Sequence, residues 1–188
     1  MYLLILGIIF WVGFHLIPAL PSWRDGLASK IGVSPRKGLV ALGLVGSIFL
    51  MVQGWKLTGP GIPYWDLPQW INHGVVLLML PAIILFLAPN IPNNLRRVLR
   101  HPQLVGFSLW AVLHLLVNAD FRSILLFGGL LVWAQLQMWL TNRRDGDWRR
   151  PAPISGPVQF IIFGVGIAAW AGLIWLHPWF SGVSPLGG

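Results

Sequence analysis

Six apolar runs, each close to the length of a bilayer crossing, divide this chain. They lie at roughly Leu3–Leu20, Gly38–Trp55, Trp70–Ala88, Gln103–Asn118, Ile124–Leu140 and Val158–Phe180. About 20 apolar residues in a helix cross the hydrocarbon core. The runs therefore predict an all-α, polytopic bundle of six membrane spans, forming one integral membrane domain over residues 1–188. Composition agrees: 56% of residues are hydrophobic and 10% charged, against about 25% charged in soluble domains. The first run has no charged stretch before it and no small-residue cleavage site after it, so it reads as a retained span. The fourth run is the shortest, and its link to the fifth is tight, which predicts a helical hairpin. No internal repeat or low-complexity segment is evident.

Charge sets the orientation. The first loop carries Arg24, Lys30, Arg36 and Lys37, the third Arg96, Arg97 and Arg100, and the fifth Arg143, Arg144, Arg149 and Arg150. Eleven of the 13 Lys and Arg residues thus fall on odd loops. The positive-inside rule places those loops in the cytoplasm and both termini on the outer, periplasmic side, and the uncharged tail Ser181–Gly188 agrees. Basic loops beside a bilayer orient the protein and touch anionic lipid, so the net charge of +8 points to the lipid bilayer and not to nucleic acid. Of the 12 tryptophans, Trp23, Trp55, Trp70, Trp139, Trp148 and Trp179 lie near span ends, where interfacial anchoring accounts for them. Trp11, Trp110, Trp133, Trp170 and Trp175 lie within spans. Pro81 predicts a kink in the third span.

Several chemistries are excluded. The chain contains no cysteine, hence no disulfide, thiolate site, iron–sulfur cluster or covalent haem attachment. It has no glutamate, and its aspartates (Asp25, Asp66, Asp120, Asp145, Asp147) lie in loops or at span ends. That removes an intramembrane carboxylate pair and a carboxylate-bridged di-iron centre. Ser47 and Ser108 have no His–Asp partners at suggestive spacing, and no glycine-rich phosphate loop opens a helix.

Histidines remain. Ionisable residues in lipid usually face a partner, a cavity or a metal. His15 and His114 both end a Gly-x3-Trp-x3-His pattern, namely Gly7, Trp11, His15 and Gly106, Trp110, His114. Residues four apart share a helix face, so Gly106, Trp110, His114 and Asn118 form a stripe: a gap, a flat ring, a ligand-capable nitrogen and an amide. A glycine two turns from a histidine would leave room for a flat ligand. Imidazole suits iron, and two histidines on different helices can clamp a haem. At ~1.5 Å per residue, His15 lies roughly 9 Å and His114 roughly 18 Å from the cytoplasmic ends of their spans. His73, near the outer end of span three, is at least as close in depth to His114 and is the rival second ligand. The plainer readings stay open: a helix-to-helix hydrogen bond for His15 or His114, a surface polar role for His73, interfacial roles for His101 and His177. The arginines of loop three, Arg100 among them, and Arg24 would either neutralise haem propionates or serve orientation alone.

The chain resembles the NnrU family, small bacterial membrane proteins named for a link to nitrite and nitric oxide metabolism. The resemblance covers most of the chain. It rests on His15 with Trp23-Arg24-Asp25, on His73 with Leu77–Leu85 (LLMLPAIIL), on RHPQLVGFSLWAVLHLLVNAD at Arg100–Asp120, and on Asn142–Gly146 (NRRDG). This family is similar to 15-cis-zeta-carotene isomerase, which isomerises a polyene double bond with a histidine-ligated haem b. The RHPQ stretch with its Trp and His is matched here by Arg100–Gln103, Trp110 and His114, and the first-helix histidine ahead of an Arg-Asp pair by His15. The resemblance thus implies haem b with its iron on His15 and His114, His73 being the fallback, and Trp11, Trp110, Gly106 and Arg100 beside it. Two departures stand out. The isomerase's cysteine three residues before the second histidine is Ala111 here, and its histidine pair in the next helix is Trp133 and Ala134. The RHP element also resembles isoprenylcysteine and phospholipid methyltransferases, but their downstream cofactor motif is missing.

The expectation is therefore a haem b protein of the bacterial inner membrane. Its chemistry would be cis–trans isomerisation of a carotenoid-like polyene that enters from lipid. The alternative is electron transfer or nitric oxide sensing linked to denitrification. A third reading is a haem-free assembly or transport factor. The sequence assigns no oligomeric state.

Overall fold

The computed structural model describes residues 1–186; the last two residues of the uncharged tail lie outside it. The described residues are helical and include no strand. In chain order the helices are α1 (Tyr2–Ala19), α2 (Pro21–Ile31), α3 (Val33–Thr58), α4 (Trp70–Leu87), α5 (Leu95–Val98), α6 (Pro102–Val117), α7 (Phe121–Ser123), α8 (Gly129–Asp145) and α9 (Ile161–Ser181). A π-turn at Ile124–Gly128 joins α7 to α8, and a 3-10 turn at Pro157–Phe160 leads into α9. Five helical segments are long and apolar enough to cross a membrane: Tyr2–Ala19, Val33–Thr58, Trp70–Leu87, Phe121–Asp145 and Pro157–Ser181. The protein is a multi-pass membrane protein. Leu42, Val132 and Trp175 remain 74%, 68% and 70% exposed, an apolar surface that lipid covers at no cost.

The expected sixth span is α6, an apolar helix of 16 residues that falls short of those five. Pro102 sets its start, since proline has no N–H to lose in a first turn. It stops at Asn118, which is extended at φ −120°, ψ 96°. The first loop holds a helix the apolar pattern did not reveal, α2, opened by Pro21 at its N-terminus. The fifth segment continues past Leu140 to Asp145 and takes Arg143 and Arg144 into its last turn, where cations favour the helix dipole. Helix α4 runs unbroken through Pro81.

The described residues divide into two compact units, each built from separated stretches of chain. The first comprises Met1–Tyr64 and Ala119–Asp147. Here α1 packs along α3, with α8 and α2 also against α1. Small residues permit the approach: a Cβ on Gly7 would lie 2.7 Å from the Met51 side chain, and one on Gly54 would strike the Leu4 backbone. Close approach through glycine is a usual basis of helix pairing in lipid. The second unit comprises Trp65–Asn118 and the chain from Trp148 onward. Here α4 is central, with α6 and α9 packed against it. Trp170 Nε1–H donates to the Val76 carbonyl at 2.7 Å, tying α9 to α4. Helix α6 pairs with α4 in the second unit, and α8 with α1 in the first.

Candidate functional site

In the second unit, the stripe on α6 is a ladder of side-chain to backbone hydrogen bonds. His114 Nδ1–H donates to the Trp110 carbonyl at 2.9 Å, and Asn118 Nδ2–H donates to the His114 carbonyl at 2.9 Å. A carbonyl only accepts, so the first bond puts the proton of neutral His114 on Nδ1 and the lone pair on Nε2. The Trp110 ring lies 4.7 Å from the His114 ring, centroid to centroid. From α9, His177 faces His114 at 6.5 Å between centroids, with ring planes 25° apart. His177 Nδ1–H donates to the Val183 carbonyl at 2.8 Å, with Ser181 Oγ also 2.8 Å from that nitrogen. Gly182, at φ 77°, makes the reversal that brings Val183 back over the helix end, a backbone conformation glycine adopts without a Cβ penalty.

The first unit holds the other intramembrane histidine. His15 on α1 sits between two indoles, Trp11 at 4.6 Å and Trp133 at 4.5 Å between centroids. The indoles meet each other edge-on at 5.1 Å. His15 Nε2 and Trp11 Nε1 are buried without a hydrogen-bond partner. Such atoms are costly in an apolar interior and call for an explanation.

The room expected beside the two glycines is filled. A Cβ on Gly106 would lie 2.5 Å from the Ala82 carbonyl oxygen and 2.7 Å from the Phe86 nitrogen. Gly106 therefore lets α6 close on α4, as Gly7 lets α1 close on α3, and neither leaves a slot for a flat ligand on that side. Ala111, where the isomerase has cysteine, is fully buried, and Trp133 and Ala134 are core residues of the first unit. His73 lies exposed in the first turn of α4. His101 is the residue that precedes α6, and its carbonyl accepts from Val105 N–H at 3.0 Å. Arg100 lies half-buried just before it. Arg24 donates to its neighbour Asp25 at 2.8 and 3.1 Å.

One polar hub escaped the sequence reading. Asp120, 8% exposed, accepts from Ser123 N–H at 2.8 Å, Gly61 N–H at 3.1 Å and Arg122 Nε–H at 3.2 Å. The Arg122 guanidinium lies 4.0 Å above the Trp55 ring and donates to the Trp55 carbonyl at 3.3 Å. Burial pushes the Asp120 carboxyl up, but the bonds from Ser123 and Gly61 and the Arg122 charge outweigh it and hold it below the usual range. An Asp two residues before an Arg and three before a Ser is a recognisable N-cap signal. Its link to Gly61 in the second loop is not local, so spacing does not reveal it.

The donor chemistry fits an iron porphyrin. Among the described residues no three or more His, Cys, Asp or Glu side chains cluster to hold a bare ion. A porphyrin supplies four nitrogens of its own, so one or two imidazoles suffice. Through Nδ1, His114 makes the outer bond to a carbonyl that metal-bound histidines almost always make. His15 offers a buried, unpartnered Nε2.

A family model described as NnrU protein matches residues 3–185. That match runs through both units. No curated protein and no solved structure matches the chain.

Proposed function

This chain belongs to the NnrU family, and from that premise we propose that it is a haem b-binding protein of the bacterial inner membrane. The carrying observation is the His114 imidazole, set in an apolar helix with Nδ1–H committed to the Trp110 carbonyl. His114 is the primary iron ligand. The family resemblance implies that His15 would be the other iron ligand, with His73 as the rival. Trp110 and Trp11 wall the two intramembrane imidazoles, and Arg100 supplies a cation at the cytoplasmic end of α6. In this reading α6 makes a sixth crossing, the basic loops face the cytoplasm and both termini face outward.

For the chemistry, cis–trans isomerisation of a carotenoid-like polyene requires almost no polar apparatus, and this apolar interior offers little. Bound haem would supply a redox-active metal centre able to lower the barrier to rotation about a conjugated double bond. The chain's part is to hold the imidazole in one orientation and to keep water away with aromatic rings.

A second reading, electron transfer or nitric oxide sensing linked to denitrification, is favoured by a separate observation. Aromatic rings follow one another through the second unit: Phe86 to Phe107 at 6.4 Å, Phe107 to Trp110 at 5.1 Å, Trp110 to His114 at 4.7 Å. The row continues from His177 to Phe180 at 5.0 Å. The buried methyl of Ala111 offers no alternative ligand for a switching mechanism. Incubating the reduced, purified protein with a cis-polyene and resolving products by chromatography separates the two. Trans product formed catalytically supports the isomerase. Reversible reduction with the polyene unchanged supports the carrier or sensor.

A further inference from the structure

The two units treat their cations differently. In the first, Arg24, Arg122 and Arg144 each meet a nearby carboxylate: Asp25 at 2.8 Å, Asp120 at 3.2 Å and Asp145 at 2.7 Å. The second unit has one acidic side chain, Asp66, which precedes α4. Its arginines, Arg96, Arg97, Arg100, Arg149 and Arg150, make no ion pair among the described residues. Arg97 Nε is buried without a hydrogen-bond partner. A guanidinium carries five donors and a permanent charge, so donors left unmatched beside a bilayer favour an anion.

The fold ties the two arginine segments together. Asn94 Nδ2–H donates to the Ile154 carbonyl at 2.9 Å, and Ile154 N–H donates back to Asn94 Oδ1 at 2.9 Å. Asn94 Nδ2–H also donates to Gln159 Oε1 at 2.6 Å. Asn93 braces the same loop, donating to the Ala88 carbonyl at 2.7 Å and accepting from Leu95 N–H at 2.8 Å. Arg96 and Arg97 closely follow Asn94, and Arg149 and Arg150 closely precede Ile154. The five residues from Arg149 to Ile154 reach at most about 18 Å, and Pro151 and Pro153 keep that stretch extended. Four guanidinium groups thereby border one patch.

That patch lies at a helix-end boundary of the unit. Gly106, near the start of α6, abuts Ala82 and Phe86 of α4, and Gly166, near the start of α9, abuts Ile84. The starts of α6 and α9 and the end of α4 therefore share one end, the end that carries both arginine segments. Val98, Phe160 and Ile161 stay exposed there, an apolar margin for acyl chains beside the cations. Arg150 lies 5.3 Å over the Trp148 ring, and indoles favour the headgroup level. Loops that only set orientation need positive charge and nothing more. A clasp that fixes two loops and leaves their guanidinium groups unpaired is what a phosphate site requires.

We infer that Arg96, Arg97, Arg149 and Arg150 bind the headgroup of an anionic phospholipid, with Asn94 as the positioning residue. Planar guanidinium groups meet phosphate oxygens bidentately. Four of them suit a lipid with two phosphodiesters, cardiolipin. The site is independent of the haem reading and leaves Arg100 to it.

The test is native mass spectrometry of the full-length protein, released from detergent micelles and titrated with cardiolipin or phosphatidylcholine. The wild type should retain one cardiolipin in preference to phosphatidylcholine. Arg149→Gln combined with Arg150→Gln should weaken cardiolipin binding by about thirtyfold. Lys30→Gln combined with Lys37→Gln removes the same charge from the first unit and should change binding by no more than about threefold, since salt screens a surface cation outside the site. Asn94→Ala keeps every charge yet should also weaken binding, because the two segments are no longer tied. Equal losses for the lysine and arginine pairs overturn the inference, as does cardiolipin bound no tighter than phosphatidylcholine. Displacement of cardiolipin by millimolar inorganic pyrophosphate also overturns it, assigning the patch to free phosphates. A folded Asn94→Ala protein that binds like the wild type overturns the role of Asn94. If that variant folds poorly, the arginine pair still decides, since Arg149 and Arg150 are exposed.

Discussion

Asp120 shows how much one carboxylate can organise outside the apolar segments. It joins the turn before α7 to Gly61 in the second loop and pairs with Arg122. Replacing it with alanine leaves those donors unmatched, and Asp120→Ala should cost about 1–3 kcal/mol of stability, read as a lowered melting temperature in detergent. Its pH dependence has a definite sign. The folded carboxyl lies below the ordinary value, so its contribution is fully present above the ordinary carboxylate range of about 3.9. That contribution is lost as pH falls through the folded value. Acidification should therefore destabilise the wild type more than Asp120→Asn, and equal losses in both would remove Asp120 from the account. At the same scale, His114→Ala should abolish haem retention and His101→Ala should not. Equal retention in the two would sink the ligand assignment. The residues differ in legibility for a physical reason. His114 and Trp110 are four apart, so helical periodicity alone puts them together. His177 and His114 are joined only by the packing of α6 and α9 on α4, which no spacing records.

Among the elements, glycines discriminate packing from open space. Gly106 meets the backbone of α4, Gly54 meets that of α3's partner α1, and Gly13 has nothing within 4 Å of its would-be Cβ. Gly106→Leu and Gly54→Leu should thus destabilise the protein by about 1–3 kcal/mol or more through overpacking. Gly13→Leu should be close to neutral, and thermal melts of the three variants check it. Here the sequence pattern misled in a specific way. A glycine beside a histidine on a helix face is compatible with a ligand slot or with a neighbouring helix, and only the position of α4 decides. The apolar runs located the long helices well, because burial in lipid imposes the same requirement along the whole run. Their ends were less legible. Arg143 lies in the last turn of α8, where a cation suits the helix dipole, and Arg36 lies in the first turn of α3, where its long stem lets the guanidinium donate to the Arg24 carbonyl at 3.5 Å.

For the molecule as a whole, orientation is the property charge determines, and the chain is well suited to testing it because it has no native cysteine. Single substitutions Ser29→Cys, in the first basic loop, and Ile62→Cys, in the uncharged second loop, can be probed with a membrane-impermeant thiol reagent on intact cells. Ile62→Cys should label and Ser29→Cys should not until the membrane is opened; the reverse pattern would invert the topology. The central claim, that the intramembrane imidazoles serve a haem, meets its most direct test in an absorption spectrum. The detergent-purified protein should be recorded oxidised and then dithionite-reduced, with a pyridine haemochrome assay alongside. A haem-bearing protein should show a Soret band, sharp α and β bands on reduction and a b-type haemochrome. A protein that stays colourless even when expressed with added haem precursor would contradict the claim, and His15 and His114 would then be packing residues.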